Sequence, residues 1–183
     1  MQKPFYPKPR GFSLLEIVIG LVVLGILGVV SSNMISSSVF TNQVLSNEYL
    51  TYANARTALE RMSREVRELK FNTTGAAMVT GTPSSADFAF TKAGLTTDTS
   101  VSLHYNNSNK TITLSYDGGA TPYTLLTNYS GSTSGPFSYY DANGVATADW
   151  TKVRYVGIDL SVTPNNATQP LRLSNLVNLR NRP

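Results

Sequence analysis

Residues 12–30, FSLLEIVIGLVVLGILGVV, form a 19-residue apolar run whose one ionisable side chain is Glu16. At about 1.5 Å per residue a helix of that length covers roughly 28 Å, close to the ~30 Å hydrocarbon core of a bilayer. The run therefore has the length of a membrane-crossing helix. The residues before it carry Lys3, Lys8 and Arg10, no acid, and Pro4, Pro7 and Pro9, which reads as a short, extended, basic leader. A basic flank stays on the cytoplasmic side, so the chain after Val30 is expected outside the cytoplasm.

A cleaved secretory signal peptide has the same basic-then-apolar layout. Two features point away from it. Glu16 sits in the apolar run, where a strongly polar side chain costs about 2.5–3.5 kcal/mol on insertion scales, and this makes it a functional candidate. The helical pattern also continues past Val30. No proline occurs between Pro9 and Pro83, and Leu45, Tyr52, Leu59 and Val66 fall seven apart, with Ala55, Met62 and Leu69 interleaved. The spacing predicts one helix from about Phe12 to Phe71, apolar almost all round in its first half and amphipathic in its second. Leu45, Tyr52, Leu59, Met62, Val66 and Leu69 are its expected docking face. Arg56 with Glu60, Arg61 with Glu65, and Arg64 with Glu68 are spaced i,i+4 and read as a solvated charged face.

Composition removes several classes of function. The 183 residues include no Cys and a single His104, which excludes a Cys/His zinc site, a disulfide framework, a thiol nucleophile and an iron–sulfur cluster. Asp141-Ala142-Asn143-Gly144 through Asp149 looks partly like a calcium loop, but Lys152 stands where an EF-hand needs Glu, so a turn is expected. His104 lies in a strand-like stretch with no motif supplying triad partners, and there is no Walker A, dinucleotide or G-x-S-x-G pattern. No catalytic residue, metal or cofactor is assigned. The net charge of +4 invites a nucleic-acid hypothesis, yet three of the 15 basic residues are Lys3, Lys8 and Arg10. Residues 12–183 hold 12 basic and 11 acidic side chains, little net charge for holding DNA or anionic lipid.

The segment Arg10-Gly11-Phe12-Ser13-Leu14-Leu15-Glu16-Ile17-Val18-Ile19 closely resembles the prepilin processing site of the type IV pilin and type II secretion pseudopilin superfamily. A basic leader ends in Gly, Phe opens the mature chain, and Glu follows as its fifth residue inside an apolar helix. The resemblance implies that a prepilin peptidase cuts between Gly11 and Phe12 and N-methylates Phe12. It further implies that Glu16 pairs with the N-terminal amine of a neighbouring subunit, and a partner charge is what an anionic carboxylate in hydrocarbon requires.

Beyond Asn72 the chain is rich in Ser, Thr, Asn and Gly and reads as strands. Val101, Leu103 and Tyr105 alternate with polar residues, as do Ile112, Leu114 and Tyr116, with a hairpin loop at Asn106 to Lys110 between them. Further strands are expected at Phe88 to Thr91, Tyr123 to Tyr129, Phe137 to Tyr140, Lys152 to Val162 and Leu171 to Leu179. The fold class is α+β: a long N-terminal helix packed on an antiparallel sheet. The expected divisions are a removed leader (1–11), a membrane or fibre-core helix (12–33), an amphipathic helix (34–71) and a β-rich head (72–183). Asn72, Asn106, Asn109, Asn128 and Asn166 begin N-x-S/T triplets, unsurprising in such a composition. Tyr139, Tyr140 and Trp150 are candidates for an aromatic sugar platform or, as strand aromatics more often are, for packing.

Pro136 to Gly144, Val153 to Val162 and the ending Val177-Asn178-Leu179-Arg180-Asn181 look like the large minor-subunit group, which includes the J-type minor pseudopilins and the W-type and mannose-sensitive-haemagglutinin-type minor pilins. Major pilins usually carry a helix-kinking Pro where this chain has Asn33, and often a C-terminal disulfide. The resemblance implies a structural subunit that primes or caps a membrane-anchored fibre. Its partners would be the prepilin peptidase, the inner membrane and other minor and major subunits of a hetero-oligomeric fibre. A fibre-tip module that binds a surface, sugar or DNA is the alternative.

Overall fold

The computed structural model describes residues 11–93, 97–117, 121–165, 167 and 169–179. Lys3, Lys8, Arg10, Asn166 and the Arg180-Asn181 end lie outside these residues. The chain divides into two compact units, one ending at Gln43 and one running from Val44.

One helix, α1 (Leu14–Arg67), contributes to both units. It starts at Leu14 because Ser13 caps it: the Ser13 Oγ accepts from the Leu15 N–H at 3.2 Å, and its carbonyl accepts from Glu16 N–H at 3.0 Å. A side-chain oxygen at this position satisfies one of the helix's unpaired N–H groups. In the first unit every described residue from Gly11 to Gln43 is exposed. The helix there is long and apolar enough to cross a membrane. Apolar side chains presented on all sides need an apolar surrounding that a lone chain in water does not provide.

In the second unit α1 turns one face inward. Ala55, Ala58, Leu59, Met62 and Val66 are buried, at spacings of three and four that keep them on one side. The last turn tightens, with Glu68 N–H to Glu65 O at 3.2 Å and Leu69 N–H to Val66 O at 3.2 Å, the i to i−3 pattern common at helix ends. The helix therefore ends at Arg67 rather than Phe71. Leu69 and Phe71 continue as extended backbone, bridging Lys92 and Ala77.

The strands β1 (Asp87–Lys92), β2 (Thr99–Asn106), β3 (Thr111–Tyr116) and β4 (Tyr123–Leu126) form an antiparallel sheet in that order. A second antiparallel sheet holds β5 (Phe137–Tyr140), β6 (Tyr155–Val162) and β7 (Leu171–Asn178). Among the described residues the strands thus make two sheets where the sequence suggested one. They are stitched at a Tyr129–Val162 bridge and by the Phe137 N–H donating to Ser85 O at 3.0 Å. The second stitch needs Gly135: its φ is 121°, and a Cβ there would lie 2.1 Å from Ser85 O.

Alternation along the strands sets the core. Phe88, Phe90, Val101, Leu103, Ile112 and Leu114 of the first sheet and Val156, Ile158, Leu160 and Val162 of β6 are buried. Phe88 stands at the centre, with ring centroids 4.9 Å from Phe90, 6.0 Å from Phe137 and 5.8 Å from Trp150. Tyr139 packs 4.7 Å from Trp150, and its burial pushes its hydroxyl far above the ordinary tyrosine range. Tyr139 and Trp150 are thus packing residues.

Candidate functional site

The chemistry of the first unit is concentrated in its first six described residues. Gly11 and Phe12 precede the helix, both exposed, and Phe12 is 79% accessible. Nothing lies within 4 Å of where a Gly11 Cβ would be, so the chain's own packing does not require glycine there. Glu16 lies in the first turn of α1, exposed among exposed Leu14, Leu15, Ile17 and Val18. Ser13 and Glu16 have the spacing of a capping box, and an anion in the first turn is favoured by the positive end of the helix dipole. Among the described residues no cation pairs with Glu16. The capping role of Ser13 does not follow from the apolar pattern, although S-x-x-E over residues 13–16 is a signal for it.

Against the family descriptions, residues 7–32 match the prokaryotic N-terminal methylation motif. This chain carries a prepilin-type N-terminus. The motif is what a type IV pilin-like protein carries, and together with the exposed apolar helix it fits a membrane-anchored pilin precursor. The motif implies processing by a prepilin peptidase and assembly with other pilin subunits in general. Comparison with curated proteins and with solved structures returned no match.

Of the docking residues read from the sequence, Leu59, Met62, Val66 and Leu69 are buried, Leu69 just beyond the helix. Leu45 and Tyr52 are 57% and 42% exposed. Burial on α1 begins at Ala55. The heptad spacing continues N-terminally past the residues that the sheets cover.

The charged face also differs from the solvated one that its spacing suggests. Arg56 and Glu60 form an exposed pair at 2.9 Å, but Glu65 is buried. Its carboxylate accepts from Lys92 Nζ of β1 at 2.8 Å and from the Tyr116 hydroxyl of β3 at 2.7 Å, with Arg61 Nε at 3.1 Å. Arg61 also donates to the Tyr116 oxygen at 2.5 Å, and Glu68 pairs with Lys92 at 3.3 Å. Burial alone would raise the Glu65 carboxyl, but the bonds from Lys92 and Tyr116 and the charge on Lys92 and Arg61 outweigh it and hold it below the ordinary glutamate range. Lys92 is shifted up: its own desolvation is overcome by Glu65 and Glu68. Tyr116 is pushed up chiefly by burial and by Glu65.

The remaining candidates are structural. His104 is an exposed strand residue bonded across the β1–β2 ladder to Asp87. The Asp141 carboxylate accepts from the Asn143 and Val145 N–H groups at 2.8 and 2.9 Å, with Gly144 at φ 77°, which makes the segment a turn. No cluster of three or more potential metal ligands occurs among the described residues.

Proposed function

We propose that this chain is a minor pilin or pseudopilin, a structural subunit that primes or caps a type IV pilus or type II secretion pseudopilus. Prepilin peptidase cuts between Gly11 and Phe12 and N-methylates Phe12. Residues 12–33 hold the precursor in the inner membrane and later enter the fibre core, and residues 34–71 carry the β-rich head, residues 72–183, on the periplasmic side. An open, exposed Gly11–Phe12 junction supports this reading, because the demand for glycine then comes from the enzyme that reads the site.

The observation that carries the proposal is Glu16, an acid exposed in the first turn of α1, the one charged residue between Phe12 and Asn47, and without a cation among the described residues. Cleavage after Gly11 creates an amine on Phe12, and the same amine on a neighbouring subunit is the missing partner. The pairing lets both charges leave the bilayer for the fibre without an unpaired ion in apolar surroundings. The expected outcome for Glu16→Val is a chain that is still cut, still methylated and still inserted, but lost from sheared fibres or pseudopili on immunoblots. Normal incorporation of that variant would overturn the assembly role. A mature chain that does not begin at Phe12 by terminal sequencing would overturn the processing step separately.

A further inference from the structure

The outer face of the β5–β6–β7 sheet is built around Gly157. Val156, Ile158, Leu160 and Val162 of β6 point into the core, so Tyr155, Gly157, Asp159 and Ser161 share the opposite face. The strand register sets Ser138 and Leu176 on either side of Gly157, Tyr140 beside Tyr155, and Ser174 beside Asp159. A Cβ at 157 would lie 2.3 Å from Ser138 Oγ and 3.2 Å from the Tyr140 ring. Glycine there lets the Ser138 hydroxyl and the Tyr140 ring close over the strand, which a side chain at 157 would prevent.

Two cavities, of about 630 and 320 Å³, open on this face and share Ser138, Asp159 and Ser174 in their walls. Ser138 lines both, and its Oγ is buried with no hydrogen-bond partner, the one such side-chain atom among the described residues. An unmade bond of this kind is costly, and a ligand that completes it recovers the loss. Around it the smaller cavity presents the rings of Tyr140 and Tyr155 and the exposed Leu176, while Asp159 adds a carboxylate without an ion-pair partner among the described residues. Arg172 at the larger cavity balances that charge. A polyanion gains nothing from such a balanced site. Several hydroxyl, carboxylate and guanidinium partners around aromatic and apolar surface suit a neutral ligand with hydroxyls on its rim and C–H groups on its face.

We propose that this face is a binding site for neutral saccharides, with one ring against Tyr140, Tyr155 and Leu176 and its hydroxyls on Ser138 and Asp159. It uses none of the N-terminal processing and assembly residues and stands whether or not the subunit primes a fibre. The test uses the full-length chain in a non-glycosidic detergent, titrated with methyl glycosides and short oligosaccharides of glucose, galactose, mannose and N-acetylglucosamine, and read by saturation-transfer NMR of the sugar protons. At least one of them is expected to bind saturably. Asp159→Asn and Tyr155→Ala are expected to weaken that binding about tenfold or more with the thermal transition unchanged. Ser138→Ala is expected to weaken it without lowering thermal stability, because its hydroxyl has no partner in the free protein. If one variant fails to fold, the other two decide. Absence of saturable binding across the panel, binding that all folded variants retain in full, or binding of duplex DNA in place of sugar would each overturn the proposal.

Discussion

At position 135 only glycine fits. The backbone there combines a φ of 121° with a separation that would put a Cβ 2.1 Å from Ser85 O, so a methyl group meets backbone on one side and an unfavourable conformation on the other. Gly135→Ala is expected to cost about 2–3 kcal/mol, measured as a lower urea midpoint with an unchanged slope. How much of the candidate site could be read from the sequence depends on the residue. Gly11, Phe12 and Glu16 stand out without a structure because a basic leader, a glycine and a lone acid in an apolar run are local features. Glu65 does not, because an acid four residues from an arginine reads as solvated whether or not a lysine on β1 closes over it. Ser138 is equally silent, since a serine in a strand looks the same with a partner as without one.

The helix and the strands differ in how well their limits show. Alternation placed every strand from β1 to β7 to within about three residues at each end, since one buried and one exposed face leave a period-two trace. It could not say how many sheets the strands make, because one sheet and two sheets covering a shared core impose the same alternation. On α1 the heptad spacing runs on through Leu45 and Tyr52, whereas burial starts at Ala55. Periodicity records an apolar face but not what covers it. Met62→Ala, at a fully buried position, is expected to destabilise the second unit by about 2–5 kcal/mol, while Leu45→Ala should change it by less than about 0.5 kcal/mol. Paired chemical denaturation of the two variants checks both values.

Across the molecule, Glu65 and Lys92 make stability depend on pH at both ends of the scale. The Glu65 carboxyl is lowered in the folded chain, so its contribution is complete above the unfolded glutamate value near about 4.3 and is lost as pH falls through the lower folded value. Lys92 is raised, so its contribution is present below the unfolded lysine value near about 10.4 and is lost as pH climbs through the higher folded value. Glu65→Gln is expected to cost about 2 kcal/mol at pH 7, less than for a fully buried pair because Arg61 and Lys92 keep some solvent contact. That deficit should shrink progressively as pH is lowered below the unfolded glutamate value, when unfolding of variant and parent is compared. The same carboxylate also acts as an index mark. It meets Lys92 on one strand and Tyr116 on another, and a one-residue rotation of the helix, about 100°, would carry it away from both and into apolar surroundings. Leucines and alanines tolerate small errors of phase, but a desolvated charge does not. Glu65 therefore selects a single angular setting of the helix on its sheets from the several that its apolar stripe alone would permit.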